Sequence, residues 1–447
     1  AREAAAAGMV LLQNTDSILP FEPASVSSLA VIGRFADEPR FQGGSSSQMN
    51  PTGVESALQH AKSIYRTTTY TPGYQEDGAL DVTGGALQDA QEAAKAADAA
   101  LLFVGLPDNL ESEGFDRSSL LLPPGQLELI MAVCAVQPRT AVVIIAGSAV
   151  DVRWKDAAPA ILYAGLAGQA GGAAVMDIVS GSVAPRGRLT ECFPLRIEDT
   201  PCNTSFPGEG DEARYSEGIF VGYRYYESFD VATAFPFGHG LGYTDFSYSN
   251  PKLTTAASAQ PKDATFLMTV TVTNTGARTG TEVVQLYIRP PESTLRRPVR
   301  ELRGFQTITL KPGESGRVEI PLTMRDLCAW DPVVHAYAAD PGTYYIEFGA
   351  SAHDIRHSYP LPLVDRIGPR RVLNEWDSIG DWLAIPAAVE ELKQIIPADF
   401  IERLREGSKA TDEMFRSIPL KKMAQFFPHT TSPKEIIRMV RRINQEL

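Results

Sequence analysis

The chain has 447 residues, which at roughly 150 per domain predicts about three domains with room for substantial cores. With 44% hydrophobic and 21% charged residues, it is not a collagen, a low-complexity polymer or a disordered tail. The 41 Lys and Arg against 54 Asp and Glu leave a formal charge of -13, which argues against gripping nucleic acid or an anionic membrane and favours neutral partners.

The first 200 residues alternate short β-branched apolar runs with amphipathic stretches of helical length. That is the pattern of an α/β fold, a doubly wound and mostly parallel sheet covered by helices. The opening run 2–13 reads as helical. Strands are expected at 29–33 (LAVIG), 67–70, 100–105 (ALLFVG), 140–147 (TAVVIIAG) and 160–164, and helices at 53–62, 87–97, 126–136 and 169–179. Ligands of such sheets bind outside the carboxyl ends of strands, so the loops after Gly33, Gly105 and Gly147 are where chemistry is expected.

From 206 to 248 the composition shifts to Gly, Tyr and Phe, which suggests an irregular connector wrapping the first domain. Beyond Pro251 the period becomes two. Short strands at 266–273, 283–288, 302–309, 317–322 and 342–348, divided by turns, indicate an antiparallel β-sandwich of immunoglobulin or fibronectin type III character. From Ile367 onward helices are expected at 387–395, 398–406 and 433–446. The last carries Lys434, Arg438, Arg441 and Arg442 opposite Ile436, Ile437, Val440 and Ile443, a solvated face behind a docked apolar stripe. The expected domains are therefore 1–248, 249–364 and 365–447.

Cys134, Cys192, Cys202 and Cys328 lie far apart with no zinc-type spacing, so neither a metal nor a disulfide framework nor any other cofactor is expected. No apolar run approaches membrane-spanning length. The loop after Gly105 holds Asp108, Glu111, Glu113, Asp116 and Arg117. Glycoside cleavage needs two carboxyl groups, one protonating the leaving oxygen and the other attacking or activating water. Crowding of Glu111, Glu113 and Asp116 is expected to raise one pKa, and Arg117 to hold another carboxylate ionised. An acidic solvated loop explains the same residues equally well. Gly43 to Ser47 has the composition of a phosphate-cradling loop without its spacing or its Lys, and a hydroxyl-rich loop near a sugar fits as well. His239 reads as a packed residue, not a general base, and Trp382, beside Asp381, as a packing residue.

Read together, these segments resemble glycoside hydrolase family 3, the β-glucosidase-like family, in the part that follows its barrel. The matching motifs include Glu3 to Asn14 (EAAAAGMVLLQN), Gln42 to Ser46 (QGGSS), Glu113 to Arg117 (EGFDR), Gly168 to Gly172 (GQAGG) and Pro185 to Leu189 (PRGRL). Most specific are Tyr215 to Tyr226 (YSEGIFVGYRYY) and Phe235 to Thr244 (FPFGHGLGYT). The resemblance covers residues 1 to about 360. It implies an α/β sandwich, a fibronectin type III-like domain and retaining hydrolysis of β-linked glucosides through a covalent glycosyl-enzyme.

In such members the Glu before the Gly looks like the general acid/base, which is Glu113 here, with Glu111 the runner-up. Ser45, Ser46, Glu111 and Arg117 are expected at the sugar rim. An intact loop of this kind leans toward glucosidase or xylosidase, away from branches that cleave N-acetylglucosaminides. The resemblance also implies a nucleophilic Asp in a preceding (β/α)8 barrel, absent from these residues. The expected partners are thus a small carbohydrate and a barrel domain or subunit carrying the nucleophile, with the chain inactive alone. The alternative is a carbohydrate-binding or interaction module that does no chemistry. A nucleophile within the same loop is disfavoured, because a retaining pair needs carboxyls about 5 Å apart across the sugar. A homo-oligomer is left open, as is the compartment, with the cytoplasm favoured over the exterior.

Overall fold

The computed structural model describes residues 1–80, 85–255, 265–293, 295–369 and 372–446. The described chain forms two compact units, one of Ala1–Leu327 with Pro341–Val364, the other of Cys328–Asp340 with Asp365–Leu447.

The first unit opens on a six-stranded sheet: β1 (Val10–Asn14), β2 (Ser28–Ile32), β3 (Thr67–Thr71), β4 (Ala99–Gly105), β5 (Thr140–Ile145) and β6 (Ala160–Tyr163). Its order is β1-β6-β5-β4-β2-β3, parallel throughout except for β1, which runs antiparallel to β6. Every residue of β4 and β5 is buried, which is why these strands read as unbroken apolar runs. The intervening helices are α1 (Arg2–Gly8), α2 (Ala57–Ile64), α3 (Ala86–Ala96), α4 (Pro124–Cys134) and α5 (Gly171–Ser180). Helices α1 and α2 both pack on α5, and α3 packs on α4, giving the sheet two helical covers.

The helix expected over 2–13 is a correction. It ends at Gly8, and the buried Val10, Leu11 and Leu12 pair as a strand with β6. The apolar cluster resembles a helical stripe, and only the free edge of β6 makes it a strand.

The chain leaves β2 for β3 on one side and β4 for β5 on the other. The crevice between β2 and β4 is therefore the topological switch point, where ligands of open α/β sheets bind. Gly33 turns the chain there at φ 103°, and a Cβ on it would fall 2.1 Å from the Phe103 carbonyl oxygen, so only glycine lets β2 exit beside β4.

Two short strands, β7 (Phe193–Pro194) and β8 (Thr233–Phe235), pair across the connector, which holds α6 (Tyr223–Ser228). The sandwich then forms from β9 (Phe246–Thr255), β10 (Thr265–Asn274), β11 (Gly280–Arg289), β12 (Glu301–Leu310) and β13 (Ser315–Thr323), followed by the short α7 (Met324–Leu327). Strands β14 (Ala329–Asp331) and β15 (Ala336–Ala338) make a hairpin in the second unit. Strands β16 (Gly342–Gly349) and β17 (Ile355–Leu363) complete the sandwich as sheets β13-β10-β9 and β12-β11-β16-β17, all antiparallel. Met268, Val270 and Val272 on β10 face inward with Val318, Ile320 and Leu322 on β13, the period-two signature of a sheet with one buried face.

The sandwich joins the α/β domain through buried polar contacts. Arg188 Nη2 donates to Glu282 at 2.8 Å, and the Tyr248 hydroxyl donates to the same carboxylate at 2.7 Å. Gln285 donates to the Gly238 carbonyl at 3.0 Å. Gly238 has φ 80°, and a Cβ there would strike Gln285, which explains the glycine of the FGHG motif.

In the second unit Arg366 ties the β14–β15 hairpin by pairing with Asp331, at 2.7 Å, and with Asp340. Helices α8 (Ile379–Leu383), α9 (Pro386–Ile395), α10 (Ala398–Glu406), α11 (Ala410–Arg416), α12 (Met423–Phe426) and α13 (Pro433–Glu446) bury Trp382, Leu392, Ile401, Leu420, Ile436 and Ile443. The Asp381 carboxylate accepts from the Ser378 amide and hydroxyl in a capping box that starts α8. On α13 the basic residues are exposed behind the buried stripe, and Ser432 and Glu435 form a second capping box. No helix among the described residues is long and apolar enough to cross a membrane.

Candidate active site

The loops after β2, β4 and β5 converge at the switch point, and Arg40, from the loop after β2, binds them. Its Nε donates to Asp108 (2.7 Å), and its Nη1 donates to the Leu106 carbonyl (2.9 Å) and to Glu111 Oε2 (2.5 Å). Its Nη2 donates to the Glu111 carbonyl (2.8 Å). The Arg40 side chain is 7% exposed and that of Glu111 15%, so the pair is sheltered from water. The Glu111 carboxylate also accepts from the Gly147 amide (2.8 Å) and the Ser148 hydroxyl (2.7 Å), both after β5.

Burial alone would raise the Glu111 pKa. The Gly147 amide, Arg40 and Ser148 together outweigh it and hold the carboxylate below its usual range. Arg117 does not hold a carboxylate directly: its Nη1 donates to Ser148 Oγ (2.8 Å) and the Ala149 carbonyl (2.9 Å), and burial lowers its pKa. The role expected of Arg117 belongs to Arg40. Two residues beyond Glu111, Glu113 is exposed. It accepts hydrogen bonds from the Ser46 amide (3.0 Å) and the Ser46 hydroxyl, which lower its pKa. Ser45, at φ 63°, sits in the left-handed region just before it and adds a weaker lowering contact. Gly44 lets the two loops approach, since a Cβ there would lie 3.0 Å from the Ser112 hydroxyl.

The expectation that crowding raises a carboxyl in this loop is overturned for both glutamates, because each carboxylate finds hydrogen-bond donors on a neighbouring loop. The raised carboxyl nearby is Glu191, which sequence reasoning missed. Burial lifts it and the Glu111 charge adds to the lift, while the Ala149 amide (3.0 Å) and Arg117 oppose. Arg40 and Ser148 were missed as well, and no spacing in the sequence links either to Glu111. Thus the structure gathers Glu113 with Ser45 and Ser46, and Glu111 with Arg117 through Ser148.

His239 Nε2 donates to the Leu12 carbonyl (2.8 Å), and the ring stacks on Phe235. Burial lowers its pKa, as befits a packed imidazole. No group of three or more His, Cys, Asp or Glu that could hold a metal occurs among the described residues.

Residues 9–243 match the glycosyl hydrolase family 3 C-terminal domain, and residues 282–352 match a fibronectin type III-like domain. Thermostable β-glucosidase B of Acetivibrio thermocellus is 36% identical, over 99% of this chain and 59% of its own length. An exo-α-(1→6)-L-arabinopyranosidase of Bifidobacterium breve is 39% identical, over 86% of this chain and 51% of its own. The crystal structure of a Bifidobacterium adolescentis family 3 β-glucosidase superimposes with a TM-score of 0.79 at 38% identity. It covers 87% of this chain and 56% of that one. The chain thus spans little more than half the length of the relatives it matches. Sequence match, sheet order and sandwich all point one way: the chain belongs to glycoside hydrolase family 3.

Proposed function

We propose that this chain carries the acid/base side of a retaining β-glucosidase, with Glu113 as the proton-transfer residue. The observation that carries this reading is the position of Glu113. It is an exposed carboxylate at the carboxyl end of β4, on the switch point, with its loop clamped from behind by Arg40 and its oxygens reached by Ser46. The same loops expose Met49, Leu110 and Phe115, apolar side chains suited to a sugar face or a docked domain.

In the first step the nucleophilic carboxylate, supplied by a (β/α)8 barrel domain outside residues 1–447, attacks the anomeric carbon. The bond to the glycosidic oxygen breaks as Glu113 gives that oxygen its proton. In the second step Glu113, now ionised, takes a proton from water as the water oxygen displaces the enzyme carboxylate. Glu113 rests ionised on Ser46, whereas the first step needs it protonated. A sugar and a barrel closing over the loop exclude water from the carboxylate, and that desolvation raises its pKa. Glu111 is a structural residue in this reading, since four donors already occupy it and its backbone carbonyl.

The test is hydrolysis of β-glucosides by this chain mixed with a family 3 barrel domain, wild type against Glu113→Gln. Glucosides with poor leaving groups should lose about 100- to 10,000-fold, activated aryl glucosides far less in the first step. Equal loss on both sinks the role. Activity of the chain alone would place a nucleophile within it. A binding module without chemistry is the second reading, favoured by the ionised resting state of Glu113, and an inactive mixture that still binds sugar would support it.

A further inference from the structure

At the other end of the sheet, between the α/β domain and the sandwich, lies a cavity of about 670 Å³. It is lined by Arg139, which immediately precedes β5, and by the turn after β1. At a rise of about 3.3 Å per residue, the length of β5 puts it about 20 Å from the Gly147 loop. A second cavity of about 830 Å³ adjoins it, and the two share Tyr243 and Arg278. Small-molecule sites span about 300–1,000 Å³, so each half of this trough of two adjoining cavities is of ligand size.

The lining of the first cavity selects the ligand chemistry. It contains four arginines and four acidic residues. Arg188 pairs with Glu282 at 2.8 Å and Arg278 with Glu22 at 2.5 Å, so planar guanidinium and carboxylate edges stand side by side. The Arg188 side chain is 10% exposed, and its Nε is buried without a partner among the described residues. Asp16, Asp245 and Arg139 line the same space. An anion entering would meet four carboxylates, and a cation four guanidinium groups. A hydroxyl both donates and accepts, so a neutral polyhydroxylated chain can bond to acids and arginines together. Tyr243 adds a ring at the junction of the two cavities, and such amphipathic rings suit a sugar's apolar face.

We propose that this trough is a non-catalytic binding site for a neutral oligosaccharide, remote from the Glu113 loop. The choice of a saccharide among neutral polyols rests on the glycosidase reading above. The trough would hold an oligosaccharide chain while the enzyme acts at a separate end.

The experiment is titration calorimetry of the full chain with a cello-oligosaccharide of about five units and, separately, with inorganic phosphate. Arg139→Ala and Asp245→Ala serve as variants. Arg139 makes no side-chain hydrogen bond among the described residues, and Asp245 is exposed, so both variants should fold, which thermal unfolding checks. Saccharide binding should weaken at least tenfold in the Arg139→Ala, Asp245→Ala double variant and stay unchanged in Glu113→Gln. Loss in Glu113→Gln with the trough variants unaffected overturns the proposal, as does phosphate binding without saccharide binding, or no saccharide binding at all. Aryl-glucoside hydrolysis with the barrel domain reports on the glycosidase reading separately. Binding at the trough without hydrolysis would fault that reading alone, and hydrolysis without trough binding would fault only the site proposed here.

Discussion

Arg40 and Glu111 lie 71 residues apart and close to 2.5 Å at the switch point, tying the exit of β2 to the exit of β4. Because Glu111 also accepts from Gly147 and Ser148, one sheltered carboxylate joins three loops, and Glu113 stands on the one held in the middle.

Removing only the cation leaves that carboxylate sheltered and uncompensated. Arg40→Ala should therefore cost about 3–5 kcal/mol in urea unfolding of the first unit. Arg40→Met combined with Glu111→Leu should cost clearly less than the two single changes summed, because neither charge is then left alone. A loss below about 1 kcal/mol for Arg40→Ala would show that the pair contributes little.

Acid titration follows from the depressed Glu111 pKa. A carboxylate held lower in the folded state than in the unfolded state adds stability above its unfolded pKa, near 4.3, and loses it as pH falls through the folded value. Stability of the first unit should thus decline below about pH 4.5. Glu111→Gln should flatten that decline while lowering stability at pH 7. Parallel acid limbs for the two proteins would assign the effect elsewhere.

Ser46 favours the ionised form of Glu113, since both its amide and its hydroxyl donate to the carboxylate. Ser46→Ala removes the hydroxyl and keeps the amide, so the Glu113 pKa should rise. In a mixture with the barrel domain, the alkaline limb of kcat/KM should then move to higher pH, since the general acid stays protonated further. A shift to lower pH, or none, would separate Ser46 from the proton-transfer step.

The second unit has its own core, so its weak points are independent of the site. Trp382 is fully buried at its centre, and Trp382→Ala should cost about 3–5 kcal/mol there by leaving a cavity. Ser432→Ala should cost about 1 kcal/mol through loss of the α13 cap. Hydrogen exchange resolved by segment would read both in residues 372–446 and leave β4 and β5 protected.

Local chemistry was legible where one period rules a segment. The continuous run 100–105 became β4, and the alternation at 317–322 became the centre of β13. Strands with a mixed pattern were not visible. Positions 355–363 alternate only between intermediate and exposed on β17, an edge strand, and β1 exists because β6 offers it a free edge. In the site, the carboxylate-rich loop after β4 showed itself, as did the serines that meet Glu113. Arg40 did not, because nothing near it in the chain distinguishes a guanidinium that will be buried from one that will be solvated.

By itself the sequence determined the family, the alternation of strands and helices, the sandwich and the loop carrying Glu113. These follow from side-chain periodicity and from ordered motifs, which are properties of neighbours in the chain. Only the tertiary structure decided which carboxylate is sheltered and which is exposed, and which donors each one meets. That depends on donors 36 to 71 residues away, Gly147 and Arg40 for Glu111 and Ser46 for Glu113. A pKa is set by the groups within a few ångströms of the carboxyl, and strand order, not sequence separation, brings them there.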